Sequence, residues 1–164
     1  MNDDRLPHLA GAELDLDELS ADLTASGGAD DIGAWISRPA VARRIALHIA
    51  RRLPATIDRI VTAGPEASAL AASVGLVTGL PWATVEAAAV GTGAIHPGEQ
   101  IAVITAFASD IDDAVQAVRD RRAAPGAVLA IISSEAPNGM MDGSPVHSLF
   151  IRDGHGDLHQ GAST

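Results

Sequence analysis

Four short apolar runs constrain the fold of this chain more than any other feature of its sequence. They are the segments 57–62, 82–85, 101–105 and 127–133. Each run is mostly apolar on both of its faces, as strands are when helices cover a parallel sheet on both sides. The four runs therefore predict an α/β fold with a doubly wound, mostly parallel sheet.

Helical patterns occupy the segments around these strands. In 40–53, apolar residues recur at helical spacing after Pro39, a residue that suits the first turn of a helix. Two further helices are predicted at 67–78 and 110–122. The core between the helices and the sheet must consist of Ala, Val, Leu and Ile, because aromatic residues make up only 2% of the chain.

The two ends of the chain have a different character. Residues 1–30 are acidic and rich in small residues, so we expect a flexible N-terminal arm that contains only a short helix at 14–23. Residues 31–164 are then expected to form a single domain. Near the C-terminus, 147–152 and 157–159 flank the turn signal Asp153-Gly154 and predict a small hairpin.

The charge balance excludes several classes of partner. The net charge is −10, and all eleven formal cations are arginines. Nucleic acids and anionic membranes both attract an electropositive surface, so we expect neither as a partner. The chain has no cysteine, no basic-then-apolar leader and no apolar run of membrane-spanning length, and we expect a cytoplasmic protein.

Ligands of doubly wound folds bind at the carboxyl ends of the parallel strands. The segments expected around such a site are 63–66, 86–99, 105–109 and 134–145. The helix after the third strand should begin there, with Ser109 as its N-cap and Asp112 as the partner of a capping box.

Four segments in order resemble the type I phosphoribosyltransferases, and orotate phosphoribosyltransferase most of all. Segment 38–53 is similar to the helix before the family's first core strand. The sequence IDRIVTAGPEASALAA at 57–72 resembles that strand with its pyrophosphate loop, and 76–85 resembles the passage into the next strand. The sequence HPGEQIAVITAFASDIDDA at 96–114 resembles the strand that leads to the phosphoribosyl pyrophosphate loop.

The resemblance implies two ligand-binding loops. The pyrophosphate loop would consist of Ala63, Gly64, Pro65 and Glu66. The phosphate loop would consist of Thr105, Ala106, Phe107, Ala108, Ser109, Asp110, Ile111, Asp112 and Asp113. The family has two acidic residues where this chain has Thr105 and Ala106, and a loop rich in Thr and Gly where it has 107–113. Phe107 stands where small residues are needed, so its ring is a candidate to fill the sugar–phosphate pocket.

These departures predict that the phosphate has lost its binding site. Two unit charges about 4 Å apart repel by about 1 kcal/mol in water and about 4 kcal/mol near a protein surface. A helix N-terminus stabilises an exposed anion by only about 0.3–1 kcal/mol. The aspartates at 110, 112 and 113 should therefore repel a phosphate, and the chain has no lysine to take up the charge of a leaving pyrophosphate.

Three functions remain open. The first is a non-catalytic phosphoribosyltransferase-like protein that binds a small, nucleotide-like ligand or regulates a partner, with no cofactor. The second is an active phosphoribosyltransferase with Mg²⁺, in which Arg43 or Arg44 and Glu86 replace the missing groups. The third is an assembly subunit that pairs with a related protein, since the family commonly forms dimers.

Two other groups of residues have alternative interpretations. Asp153, His155, Asp157 and His159 would share one face of an extended strand. They suit either a solvated hairpin tip or a zinc or nickel site, and we assign no metal ligands. His48 shares the apolar helix face of Val41 and Ile45, which favours a hydrogen-bonded, partly buried histidine over a catalytic base.

Overall fold

The computed structural model describes residues 15–28, 30–87, 89–134, 140–141 and 144–161. The helices are α1 (Leu16–Ala25), α2 (Ile32–Ile36), α3 (Pro39–Ala50), α4 (Ala67–Thr78) and α5 (Ile111–Asp120). The strands are β1 (Arg59–Ala63), β2 (Trp82–Glu86), β3 (Ala89–Val90), β4 (Gln100–Phe107), β5 (Ala124–Ser133), β6 (Met140–Met141), β7 (Ser144–Arg152) and β8 (Leu158–Gln160).

The sheet has the order β3-β2-β1-β4-β5-β7-β6, with β8 paired to β7. The four predicted strands correspond to β1, β2, β4 and β5, and every pairing among them is parallel. The predicted α/β class with a mostly parallel sheet is therefore confirmed. The three predicted helices correspond to α3, α4 and α5, with ends within three residues of those expected.

The two faces of the sheet build two cores. Alternate strand residues point to opposite sides, so Ile60 and Ile104 pack with the helices α1 to α4 while Val61 and Val103 pack with α5. Both cores consist almost entirely of aliphatic residues, as the composition predicts. Helices on both faces define the doubly wound arrangement and leave the two ends of the sheet as the places where loops gather.

The N-terminal segment contradicts part of the arm prediction. Helix α1 lies within residues 1–30 but packs onto the core, where Leu19 and Leu23 are fully buried. Arg44 of α3 also forms ion pairs with Glu18 and Asp22 of α1. The acidic face of α1 is therefore matched by a basic helix, and the arm interpretation is wrong for this helix. Residues 1–14 lie outside the described residues.

The C-terminal hairpin is present, and it is also part of the main sheet. β7 and β8 are antiparallel, with Ile151 opposite His159, as the turn signal at Asp153-Gly154 predicts. In addition, β7 pairs in parallel with β5 over Val128–Ser133, a pairing that the sequence did not indicate. No helix in the described part of the chain is long and apolar enough to span a membrane.

Candidate functional site

Loops after β1, β2 and β4 surround a cleft of about 270 Å³ at the carboxyl ends of these strands. We call it the acidic cleft, because three of its lining residues are carboxylates. Its lining residues are Ala63, Gly64, Pro65, Val85, Glu86, Ala87, Asp110 and Asp113. The cleft therefore joins the two loops that the resemblance implies, although 38 residues separate Glu66 at the end of one loop from Thr105 at the start of the other.

The turn from β1 to α4 has a tight, left-handed backbone. Gly64 has φ 86° and Glu66 has φ 56°, the latter an uncommon conformation for a residue with a Cβ. Within the turn, the amide of Ala67 donates to the carbonyl of Gly64 at 3.3 Å, and the Thr62 hydroxyl donates to the carbonyl of Ala67 at 2.8 Å. These bonds fix the loop that, by the resemblance, would hold a pyrophosphate.

Asp110 closes the space in front of this turn. A Cβ placed on Gly64 would lie 2.4 Å from Oδ2 of Asp110, so the carboxylate lies directly against the glycine. Oδ2 is buried and has no hydrogen-bond partner among the described residues. Burial, together with the nearby charge of Asp113, raises the pKa of Asp110 above its ordinary value. A carboxyl group thus occupies the gap between the two loops.

The predicted N-cap at Ser109 is wrong. The chain leaves β4 through a 3-10 turn at Ala108–Asp110 and enters α5 from there, with no side-chain capping bond at either start. Ser109 lies inside the turn and lacks the extended backbone that an N-cap hydroxyl needs. The capping box with Asp112 is absent for the same reason, and Asp112 lies exposed outside the cleft.

Thr105 and Ala106 are fully buried within β4. The hydroxyl of Thr105 has no partner among the described residues. At these two positions the resemblance would require side chains that reach the sugar of a ligand. Both side chains here are enclosed by the cores instead.

Phe107 points away from the acidic cleft. Its ring packs against Trp35 of α2, with centroids 6.2 Å apart and planes inclined by 58°. It lines a second cleft of about 270 Å³, which we call the arginine cleft. The lining residues of this cleft are Asp30, Phe107, Ala108, Ser109, Ile132, Ser134 and Arg152. The sequence does not indicate Asp30 or Arg152 as lining residues, because they come from parts of the chain that lie far apart in sequence. Asp30 lies just before α2, and Arg152 is the last residue of β7.

The guanidinium of Arg152 and the carboxylate of Asp30 form an ion pair across the arginine cleft. Their side chains are 31% and 78% exposed. Exposed pairs of this kind stabilise a fold by about 0–1 kcal/mol. The ion pair therefore spans the cleft, but little free energy is needed to break it.

The segment 86–99 divides between the two ends of the sheet. Glu86 lines the acidic cleft, but Glu99 forms a two-bond ion pair with Arg59, both bonds 2.9 Å long, at the amino end of β1. The hydrogen bonds from Arg59 lower the pKa of Glu99. The amide of His96 also donates to Glu99 at 2.9 Å. The titratable groups of this segment therefore do not converge on one site.

The hairpin tip is held by Asp153. Its carboxylate accepts from the amides of His155 and Asp157 at 2.8 and 3.0 Å and lies 2.9 Å from Nε2 of His159. The His159 contact is the main reason that the pKa of Asp153 lies below its ordinary value. Among the described residues, no three His, Asp or Glu side chains come close enough to hold a metal ion.

His48 is buried in α3, as predicted, but its Nε2 has no hydrogen-bond partner among the described residues. Burial, followed by the charges of Arg52, Arg51 and Arg44, lowers the pKa of His48 to about 4. A histidine that is neutral at pH 7 in this position belongs to the core and takes no part in either cleft.

No protein-family model and no curated protein matches the chain. Solved structures do match it. Orotate phosphoribosyltransferase of Mycobacterium tuberculosis H37Rv in complex with 5-phospho-α-D-ribosyl 1-diphosphate is 16% identical with a TM-score of 0.70, over 86% of this chain and 90% of that one. Adenine phosphoribosyltransferase of Leishmania donovani is 13% identical with a TM-score of 0.61, over 82% of this chain and 80% of that one.

A third match, UMP synthase of Leishmania donovani, is 15% identical with a TM-score of 0.64. The match covers 85% of this chain and only 36% of that protein. Identities this low establish the fold alone. The fold is that of the type I phosphoribosyltransferases, as the four resembling segments predict.

Proposed function

We propose that this chain, which has the fold of the type I phosphoribosyltransferases, does not transfer phosphoribosyl groups and acts as a binding, regulatory or assembly protein. The observation that supports the proposal is the carboxylate of Asp110 against Gly64. It lies between the loops that, by resemblance, would hold the pyrophosphate and the 5′-phosphate of the donor.

The charge of the acidic cleft supports the same proposal. Glu86, Asp110 and Asp113 line it, and no arginine or histidine of the described residues does. A bound phosphate about 4 Å from one ionised carboxylate would meet a repulsion of about 4 kcal/mol near the surface. This repulsion is larger than the stabilisation of about 0.3–1 kcal/mol that a helix N-terminus gives to an anion. Phosphoribosyl pyrophosphate would therefore bind poorly.

The arginine cleft is the better candidate for a small, nucleotide-like ligand. Phe107 and Ile132 provide apolar walls, Ser109 and Ser134 carry hydroxyl groups, and Arg152 provides a positive charge. Four of the seven lining residues are polar and three are apolar, so the cleft offers both polar contacts and packing surface to a ligand. An anionic group can replace Asp30 on Arg152, because their ion pair is exposed and weak.

Two of the groups that the active alternative would use do not suit the role it gives them. Arg44, one of its two candidate cations, is engaged by Glu18 and Asp22 of α1. Glu86 does line the acidic cleft but adds a further negative charge to it. A role for Mg²⁺ depends on that alternative, so we propose no metal cofactor.

Calorimetry and a pyrophosphate-release assay test the proposal. Titration with phosphoribosyl pyrophosphate and Mg²⁺ should give no heat and no rise in melting temperature, whereas a ligand at 100 times its Kd would stabilise the protein by about 2.7 kcal/mol. The orotate phosphoribosyltransferase of Mycobacterium tuberculosis serves as the positive control. Pyrophosphate release by this chain with orotate or another nucleobase would overturn the proposal.

The same titration with UMP examines the arginine cleft. UMP should bind the unaltered protein and should bind R152Q at least tenfold more weakly, since the substitution removes the positive charge. R122Q, which alters an exposed arginine outside the cleft, is the matched control and should bind UMP normally. Equal binding by R152Q and R122Q would exclude this cleft as the binding site.

A further inference from the structure

The ion pair between Arg152 and Asp30 joins a fixed residue to an exposed one. Arg152 is the last residue of β7, a strand that pairs with β5 on one side and with β8 on the other, where Arg152 lies opposite Leu158. Its side chain is 31% exposed, whereas the side chain of Asp30 is 78% exposed. The sheet therefore holds the guanidinium in the arginine cleft, and Asp30 is the partner that can leave.

Asp30 belongs to the loop between α1 and α2, which also contains two glycines with positive φ. Gly27 has φ 122° and Gly28 has φ 98°. Glycine adopts such conformations at low cost. A Cβ on Gly28 would meet nothing within 4 Å. The backbone at Gly28 therefore has room to change its dihedral angles, as the backbone of a hinge must.

A second contact attaches the same loop to the core. The carbonyl of Gly28 accepts a hydrogen bond from Nε1 of Trp35 at 3.0 Å. Trp35 is fully buried, and its ring packs against Phe107, which lines the arginine cleft. The loop is thus attached through Asp30 to Arg152 and through Gly28 to Trp35. The indole of Trp35 contacts both the loop and a wall of the cleft, so its environment reports a movement of the loop.

We propose that Asp30 is an internal competitor for the anion position on Arg152, and that a phosphate-bearing ligand releases the α1–α2 loop when it replaces this carboxylate. The release rests on the ligand site proposed for the arginine cleft and is the means by which that site acts on the rest of the chain. Carboxylate and phosphate bind a guanidinium through the same donors, so they exclude each other at Arg152. The Ser109 and Ser134 hydroxyl groups line the cleft as well, and the three acceptor oxygens of a phosphate can accept from them too.

The strength of the competition follows from the exposure of the ion pair. Exposed pairs are weak, so Asp30 should reduce the affinity for a ligand by no more than about fivefold. A preference of this size keeps the loop attached while the cleft is empty. It is also small enough for a ligand to overcome, because a phosphate on Arg152 gains a charge-assisted contact of its own.

Quenching of Trp35 fluorescence by acrylamide tests the attachment of the loop. The measurement uses a W82F background, in which Trp35 is the one remaining tryptophan. D30A removes an ion pair that favours the attached loop by at most about fivefold, so it should raise the quenching rate constant by about two- to fivefold. Hydrogen exchange of the peptide 26–36, measured in the chain with both tryptophans, should rise by the same factor and does not depend on W82F.

D120A is the matched control. Asp120 is also an exposed carboxylate, it accepts a side-chain hydrogen bond from Gln116 at 2.7 Å, and it lines neither cleft. D120A removes the same group as D30A from a position away from the loop. It should leave the quenching of Trp35 and the exchange of the peptide 26–36 unchanged.

Ligand titrations test the competition. UMP should raise the quenching of Trp35 in the W82F protein as D30A does, whereas uridine, which lacks the phosphate, should not. D30A should bind UMP about two- to fivefold more tightly than the unaltered protein, because the competitor is gone. D120A should bind UMP as the unaltered protein does.

Several results would overturn the proposal. Equal quenching and equal exchange in D30A and D120A would show that Asp30 does not hold the loop. Weaker binding of UMP by D30A than by the unaltered protein would make Asp30 a ligand contact and not a competitor. A response to uridine equal to the response to UMP would exclude the phosphate as the releasing group. Absence of UMP binding in both the unaltered protein and D30A would refute the proposed ligand of the cleft, and the comparison of D30A with D120A would still decide the attachment of the loop.

Discussion

Replacement of Gly64 by alanine tests whether the Asp110 carboxylate lies directly against Gly64 in the acidic cleft. Gly64 has φ 86°, and an alanine in the left-handed region costs about 1–2 kcal/mol of the free energy of unfolding. In addition, the new Cβ would lie 2.4 Å from Oδ2 of Asp110, so the carboxylate must move. Overpacking of this kind costs about 1–3 kcal/mol more. G64A should therefore destabilise the protein by about 2–5 kcal/mol.

A matched control separates the two contributions. Gly98 has φ 84°, and a Cβ there would meet nothing within 4 Å. G98A should therefore cost only the backbone contribution, about 1–2 kcal/mol. In a D110A background the carboxyl group is gone, and the remaining Cβ of residue 110 lies at an ordinary contact distance of 3.4 Å. There, G64A should cost no more than G98A.

Urea denaturation, followed by the fluorescence of Trp35 and Trp82, measures all the variants. The double-mutant cycle of G64A and D110A should give a coupling energy of about 1–3 kcal/mol. D110A by itself should be neutral or stabilising, because Oδ2 of Asp110 is buried without a partner. If G64A and G98A cost the same, or if the costs of G64A and D110A are additive, Asp110 does not close the turn.

Two further predictions concern the core. L23A should lower the free energy of unfolding by about 2–5 kcal/mol in urea denaturation, because Leu23 is fully buried in the core; a cost below 1 kcal/mol would restore the flexible-arm interpretation of α1. His48 has a pKa of about 4 in the folded chain and about 6.5 when unfolded. Its contribution to the free energy of unfolding is therefore present above pH 6.5 and is lost as the pH falls towards 4. Between pH 7 and pH 4.5 the unaltered protein should therefore lose roughly 2 kcal/mol more than H48Q, and equal losses would show that His48 is not buried in its neutral form.

The parallel sheet could be predicted because its strands are apolar on both faces, and this property is local. Val61 and Ile60 point to opposite cores, and each needs an apolar environment wherever the rest of the chain lies. The end of α4 could also be predicted from the local sequence, because Gly79 ends the helix in a left-handed conformation that suits glycine.

The errors concern features that a local sequence pattern does not determine. α1 was expected to be loose because its sequence is acidic, but its carboxylates meet Arg44 of α3. Ser109 was expected to cap α5 because its sequence fits, but the 3-10 turn after β4 sets a different backbone there. The approach of Asp110 to Gly64 joins residues 46 positions apart, and only the glycine in the turn after β1 hinted at a close neighbour.

The 3-10 turn at Ala108–Asp110 is a wall that the two clefts share. Ala108 and Ser109 line the arginine cleft, and Asp110 lines the acidic cleft. The three residues are consecutive in one tight turn, so a single peptide bond separates the serine of one cleft from the carboxylate of the other. A ligand that contacts Ser109 in the arginine cleft would therefore lie next to the residue that fills the space in front of Gly64.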